Sequence, residues 1–223
     1  MNRTFSTFLI TGLSLIMISC ESIQMETKSD FKESIQEEEA SLNLLEDFEP
    51  LHEDGDVNAV IEIPAGTSDK WELNKSTGKL EWEKVDGQPR FVNYIGYPAN
   101  YGMIPKTLLP KEKGGDGDPL DIIVLGPPVE REQVLKCKII GLIYLLDRGE
   151  QDDKIIAVSH DSPLYGVNSL DELNEQYNGV NEIIQLWFKN YKGKGLMESK
   201  GFGDKATAQD ILKEAIEAYQ ESN

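Results

Sequence analysis

From Val57 to Ser159 the apolar residues arrive in short runs cut by glycine, proline and charge, and no long run of helical period occurs before Val180. The runs VNAVIEIP, KWELN, KLEWEKV, DIIVL, KCKIIGLIYLLD and KIIAVS are rich in Val, Ile, Trp and Tyr, and they read as strands. Helical spacing comes late. Ile183, Ile184, Trp187, Phe188 and Tyr191 form one stripe; Ile211, Leu212, Ala215, Ile216 and Tyr219 form a second, with Thr207 as its expected cap. Strands first and helices last confine the chain to a mainly β, α+β domain or a small barrel with helical additions. Gly114 to Asp118 and the Pro127-Pro128 pair mark loops on either side of DIIVL.

The N-terminus stands apart from this pattern. MNRTFSTFLITGLSLIMISC has one positive charge at Arg3, an apolar run from Phe8 to Ile18, and Ser19 before Cys20. It reads as a signal peptide over 1–19, its apolar run being shorter than the roughly 20 residues that span a bilayer. The Ser-Cys ending resembles a bacterial lipobox, although Met17 stands where Leu is usual. Cys20 is therefore the expected lipidation site, and the expected location is extracytoplasmic: a membrane-anchored lipoprotein, periplasmic or at the cell surface. An ordinary secretory peptide, in which Cys20 plays no part, is the alternative. Residues 21–56 hold 13 Asp or Glu against two Lys and read as an acidic tether over 20–56, with room for a short helix at Ser41 to Phe48. The folded domain is then 57–223. Its one thiol, Cys137, lies in an apolar run and is expected to be buried and inert.

Charge narrows the function. The whole chain carries −18; the tether accounts for −11 of it and, with Arg3 set aside, 57–223 keep −8. Nucleic-acid binding driven by phosphate contacts needs clustered Lys and Arg, which are missing. Two histidines, His52 and His160, leave no paired-histidine zinc site, so any metal must be held by carboxylates. His160 is expected to be structural.

The densest chemical signal is Asp116-Gly117-Asp118-Pro119-Leu120-Asp121, directly before the strand IIVL. Three carboxylates so close repel one another and call for a cation. An EF-hand would need Gly and Glu where the chain has Asp121 and Pro127, and an aspartyl-phosphate phosphatase would need Thr where it has Leu120. A solvated turn is the remaining simple reading, but Asp121 heads a buried strand, where a bare carboxylate is costly. A second acidic group, Asp147 and Asp152, closes the run GLIYLLD and precedes Lys154. Taken alone, DRGEQDDK is an exposed hairpin turn. If the strands lie side by side, five carboxylates meet on one rim, which suits hard divalent ions.

These residues resemble a family I soluble inorganic pyrophosphatase. Beyond DGDPLD, the resemblance includes Glu62 in IEIP, Lys70 and Glu72 in KWE, Arg90, Tyr101 in NYG, the Asp147/Asp152/Lys154 spacing and Tyr191-Lys192, in family order over roughly 57–195. It implies an oligonucleotide-binding-like five-stranded β-barrel with flanking α-helices, and hydrolysis of pyrophosphate by metal-activated water without a covalent intermediate. It also implies several Mg²⁺ per site. Asp116, Asp121 and Asp152 would hold the first, with Asp121 shared to a second; Asp147 and Asp152 would take a third and Glu62 a fourth. Asp118 would orient and deprotonate the water. Lys70, Arg90, Tyr101, Lys154, Tyr191 and Lys192 would bind the two phosphates, with Glu72 in support. No role is implied for Lys194 or Lys200, and a homo-oligomer is left open.

The chemistry is coherent without the family. Pyrophosphate is a polyanion and the domain is acidic, so metals must bridge the two. Divalent ions can bring the pKa of bound water from about 15.7 to near 7. The main rival is a non-catalytic lipoprotein that binds divalent metal or polyphosphate; a third reading keeps catalysis but moves it to another phosphoanhydride. The retained carboxylates argue against the first of these.

Overall fold

The computed structural model describes residues 42–111 and 114–222. The chain divides into two units, Met1–Ser41 and Leu42–Asn223, and the described residues belong to the second. The expected signal peptide, Cys20 and the first half of the expected tether lie outside the described residues. In chain order come β1 (Val57–Ile63), a hairpin of β2 (Trp71–Asn74) and β3 (Lys79–Trp82), and a smaller one of β4 (Lys84–Val85) and β5 (Gln88–Pro89). Then follow β6 (Asn100–Met103), β7 (Asp121–Leu125), β8 (Val134–Asp147), β9 (Glu150–Gln151) and β10 (Lys154–Ser159). Helices α1 (Leu170–Gln176) and α2 (Val180–Asn190), strand β11 (Met197–Gly203) and helix α3 (Lys205–Ser222) complete the chain.

The principal strands close on themselves. β1 pairs antiparallel with β6, β6 with β7, β7 parallel with β10, β10 antiparallel with β8, and β8 returns antiparallel to β1. The 14 residues of β8 allow this: its first part pairs with β1 and its last part carries β9 and β11. The result is the expected mainly β architecture, a five-stranded ring with flanking helices. Alternate residues of the strands pack on opposite faces. Ile122, Val124, Ile155 and Ala157 join Ala208, Leu212 and Ala215 of α3, whereas Ile123, Leu125, Ile156 and Val158 join Leu170, Ile184 and Phe188 of α1 and α2. Burial on both faces is why these strands read as unbroken apolar runs instead of alternating ones.

This topology sets the rim. β7 and β10 are parallel, so Asp121 and Lys154 stand together at their N-terminal ends; antiparallel β8 ends there with Asp147. Arg148 and Gly149 both take positive φ, 50° and 93°, and form a two-residue turn that returns the chain towards Asp152. The register of β1 against β6 slips between Ile61 and Ile63, a bulge at Glu62.

Four expectations need correction. The folded part starts by Leu42, not at Val57: Leu44 is only 3% exposed and packs with Val60, Leu80 and Met103. Two leucines buried in an acidic stretch outweigh its composition. The residues from Leu42 to Phe48 form turns, not a helix, with Asn43 Oδ1 accepting from the Leu45 and Glu46 N–H groups. Asp204, not Thr207, caps α3, its Oδ1 accepting from Thr207 N–H at 2.8 Å and Oγ1 at 2.7 Å. Ile183 is 58% exposed, so the apolar stripe of α2 is narrower than its spacing suggested. Cys137 is buried as expected, and burial pushes its thiol pKa up.

Gly102 is the tightest approach in the ring: a Cβ there would meet the Val60 carbonyl oxygen at 1.8 Å. Gly102→Ala is expected to force β6 from β1 at the Glu62 bulge and cost about 1–3 kcal/mol or more, measured as a lower urea midpoint with unchanged m-value.

Candidate active site

All thirteen residues singled out within the folded domain line one cavity of about 270 Å³ at this rim. The loop after Leu109 brings in the first acidic group. Gly117 takes φ 84°, and its N–H donates to Leu109 O, which a side chain at Gly115 would strike at 2.6 Å. Asp118 N–H donates to Asp116 Oδ1 at 2.9 Å, so the loop is folded on its own carboxylate. Farther on, Leu120 N–H is held by Thr107 Oγ1. Burial pushes the Asp116 carboxyl up, assisted by the charges of Asp118, Asp121 and Asp152 and opposed by the Asp118 N–H.

Lys154 stands at the centre. It is 2% exposed, and its Nζ donates to Asp121 Oδ2 at 2.5 Å and to Asp152 Oδ1 at 3.0 Å, 5.4 Å from the Tyr101 ring centroid. Burial alone would lower its pKa; Asp121 and Asp152 carry it well above the ordinary lysine value. Asp152 is held from behind: its N–H donates to Leu145 O, and Leu145 N–H donates in turn to Asp153 Oδ1. The Tyr101 phenol is pushed well up by burial and then by Asp121 and Asp152, so it is a neutral hydrogen-bonding group.

The remaining cations each face a carboxylate. Lys192 Nζ meets Asp147 Oδ2 at 2.6 Å, Lys70 Nζ meets Glu72 Oε1 at 2.8 Å, and Arg90 Nη1 reaches both oxygens of Glu83 at 2.7 Å. Lys192 and Tyr191 follow the end of α2, where the Tyr191 ring stacks on Trp187 at 4.6 Å. Arg90 adjoins the β4–β5 hairpin, and Lys70 N–H donates to Arg90 O, so the two sit side by side. Glu62 is buried in the wall, with Oε1 accepting from Leu73 N–H at 2.9 Å. Burial raises it to about 8, more than the nearby Lys70 lowers it, and Asp121 adds to the rise.

The donor set fits hard divalent cations. Asp116, Asp121, Asp147, Asp152 and Glu62 offer only oxygens. Asp152 Oδ2 is buried with no hydrogen-bond partner, an acceptor left for a ligand. Among the described residues no three carboxylates form a ready-made cage, because lysine ammoniums lie between them. The sequence reading missed Glu83, Asp153 and Lys75, whose contacts with Arg90, Leu145 and Asp118 join residues far apart on the strands or carry no motif. His160 lies off the cavity, against Asp56 and Tyr165.

Residues 59–220 match the family described as inorganic pyrophosphatase. The inorganic pyrophosphatase of Caulobacter vibrioides is 38% identical over 176 residues, covering 75% of this chain and 92% of its own. The solved pyrophosphatase of Helicobacter pylori is 33% identical with a TM-score of 0.66, covering 78% of this chain and 99% of its own. A type I pyrophosphatase from P. falciparum gives 28% identity and a TM-score of 0.71; this chain, 78% covered, spans 62% of it.

A buried acid with a raised pKa stabilises the fold while protonated, so the Glu62 contribution is complete below its ordinary value of 4.5 and is lost as pH rises through about 8. In EDTA, Glu62→Gln is expected to flatten the fall in unfolding free energy across that window, by on the order of a few kcal/mol. An unchanged pH slope in denaturant titrations would show that Glu62 ionises as an ordinary glutamate.

Proposed function

We propose how these residues work from one fact: the chain belongs to the inorganic pyrophosphatase family. It hydrolyses inorganic diphosphate to two orthophosphates, and enzymes of this family use divalent metal ions. The observation that carries the assignment to individual residues is the single cavity in which carboxylates alternate with paired cations.

Asp116, Asp121, Asp147, Asp152 and Glu62 would hold several Mg²⁺ ions, with Glu72 in support. Bound there, the ions supply the charge that admits a polyanion to an acidic pocket and make water acidic enough to attack at neutral pH. Asp118, exposed at the mouth of the cavity, orients the attacking water and takes its proton. Lys70, Arg90, Tyr101, Lys154, Tyr191 and Lys192 bind the two phosphates. As the P–O–P bridge breaks, the leaving phosphate keeps the bridging oxygen, and the ammonium and guanidinium groups neutralise its charge. No group of the protein is phosphorylated. The non-catalytic alternative is disfavoured because every carboxylate of the pattern is present and faces the cavity.

The chain is, in this reading, a lipoprotein anchored through Cys20 and working outside the cytoplasm, at the periplasmic or cell surface. The sequence supports this with the apolar run Phe8–Ile18 ending in Ser19-Cys20. Assembly as a homo-oligomer belongs to the same proposal.

Asp118→Asn keeps the shape but cannot take a proton. It is expected to lower kcat for orthophosphate release by about 10²-fold or more while Mg²⁺ binding persists; near-normal turnover would remove Asp118 from this role. In bacterial cells, Cys20→Ser is expected to abolish labelling by a fatty-acid probe and release the protein from the membrane fraction, and unchanged labelling would refute the anchor.

A further inference from the structure

Lys75 sits at the turn after β2, outside the thirteen residues assigned above. Its Nζ donates to Asp118 Oδ1 at 2.5 Å and to the Gly117 carbonyl oxygen at 2.7 Å, so both contacts fall on the loop that carries Asp116 and Asp118. Forty-odd residues separate the partners along the chain, and tertiary packing brings them together. Leu44 N–H donates to Gly78 O, Gly78 N–H donates to Asn74 O, and the Asn43 side chain fills the space beside Gly78. The buried Leu44 thus holds the hairpin tip from which Lys75 reaches the loop carrying Asp118.

We propose that Lys75 is a counter-ion latch on Asp118, occupying its carboxylate in the metal-free enzyme and displaced when a divalent ion loads the site. The proposal rests on the reading of this cavity as the metal and water site. A carboxylate oxygen that accepts an ammonium is not free to face a cation, and the ammonium repels an incoming divalent charge. The exposure of the pair makes displacement easy. Lys75 and Asp118 are 49% and 56% exposed in their side chains, so their attraction is screened and weak, and the released ammonium is rehydrated at once. Lys154 makes the contrast: buried between Asp121 and Asp152, it has no solvent to enter. Half in solvent already, Lys75 is placed to leave Asp118. It is a positioning residue, acting through Asp118, and it sets how much Mg²⁺ is needed before Asp118 is free to work.

The test is calorimetric titration of Mg²⁺ into the EDTA-stripped full chain, with no substrate and no turnover. Lys75→Gln and Lys75→Met are expected to bind Mg²⁺ about three- to tenfold more tightly than the native chain, and Lys75→Arg within about twofold of it. Raising the salt concentration should shrink the difference. If Lys75 only ties the loop in place, both neutral variants will bind Mg²⁺ more weakly; that result, or unchanged affinity, overturns the latch. Asp121→Asn separates this failure from a deeper one: it should lose Mg²⁺ affinity whatever Lys75 does, and native affinity there would overturn the site itself.

Discussion

A buried ammonium between two carboxylates organises this molecule. Lys154 heads β10 and Asp121 heads β7, and the parallel register that places Ile155 opposite Ile122 also places the charge pair. An ion taken out of water costs several kcal/mol unless paired with good geometry. The pairing of β7 with β10 and the pairing of charges therefore stand or fall together. A one-residue slip would strand Lys154 without a carboxylate and exchange the β10 side chains packed on α3 with those packed on α1 and α2.

From that centre the site is a set of internal ion pairs. Lys192 holds Asp147, Lys70 holds Glu72, Arg90 holds Glu83 and Lys75 holds Asp118. The pocket is nearly satisfied by itself, which keeps so many like charges together without unfolding the rim. The Lys192–Asp147 and Lys70–Glu72 pairs each leave both an ammonium and a carboxylate oxygen on the cavity wall. The scaffold beneath is stiff: Glu62 sits on a strand bulge, the DGD loop is bonded to Leu109 and Thr107, and Asp152 is braced through Leu145 and Asp153.

Much of this was legible in particular residues. DGDPLD before an apolar strand, and Asp147, Asp152 and Lys154 at strand ends, located the rim because carboxylates beside buried strands need cations. What was missed lacked a local signature or had one that went unread. β11, MESKGFG, has three consecutive polar residues and two glycines in place of a strand pattern, and it is a strand because β8 runs on far enough to pair with it. Helix α1 carried its signal in Ser169 and Glu172: Ser169 Oγ accepts from Glu172 N–H, and Glu172 Oε2 reaches back to Asn168 N–H. Leu44 and Leu45 were hidden by the acidic residues around them, although burial depends on what a side chain meets and not on its neighbours in sequence.

The sequence by itself determined the inventory: strands with two buried faces, helices placed last, an acidic domain without a histidine metal site, and the carboxylates and cations that a metal-dependent phosphoanhydride hydrolase needs. Those follow from residue type and short-range period, which are local properties. Tertiary structure alone decided the partners. Which lysine neutralises which carboxylate, why Glu62 is raised to about 8, and why Lys75 rests on Asp118 depend on distances of a few ångströms between residues far apart along the chain. Electrostatic energy falls with separation and rises with burial, and only the closed ring of strands sets either quantity.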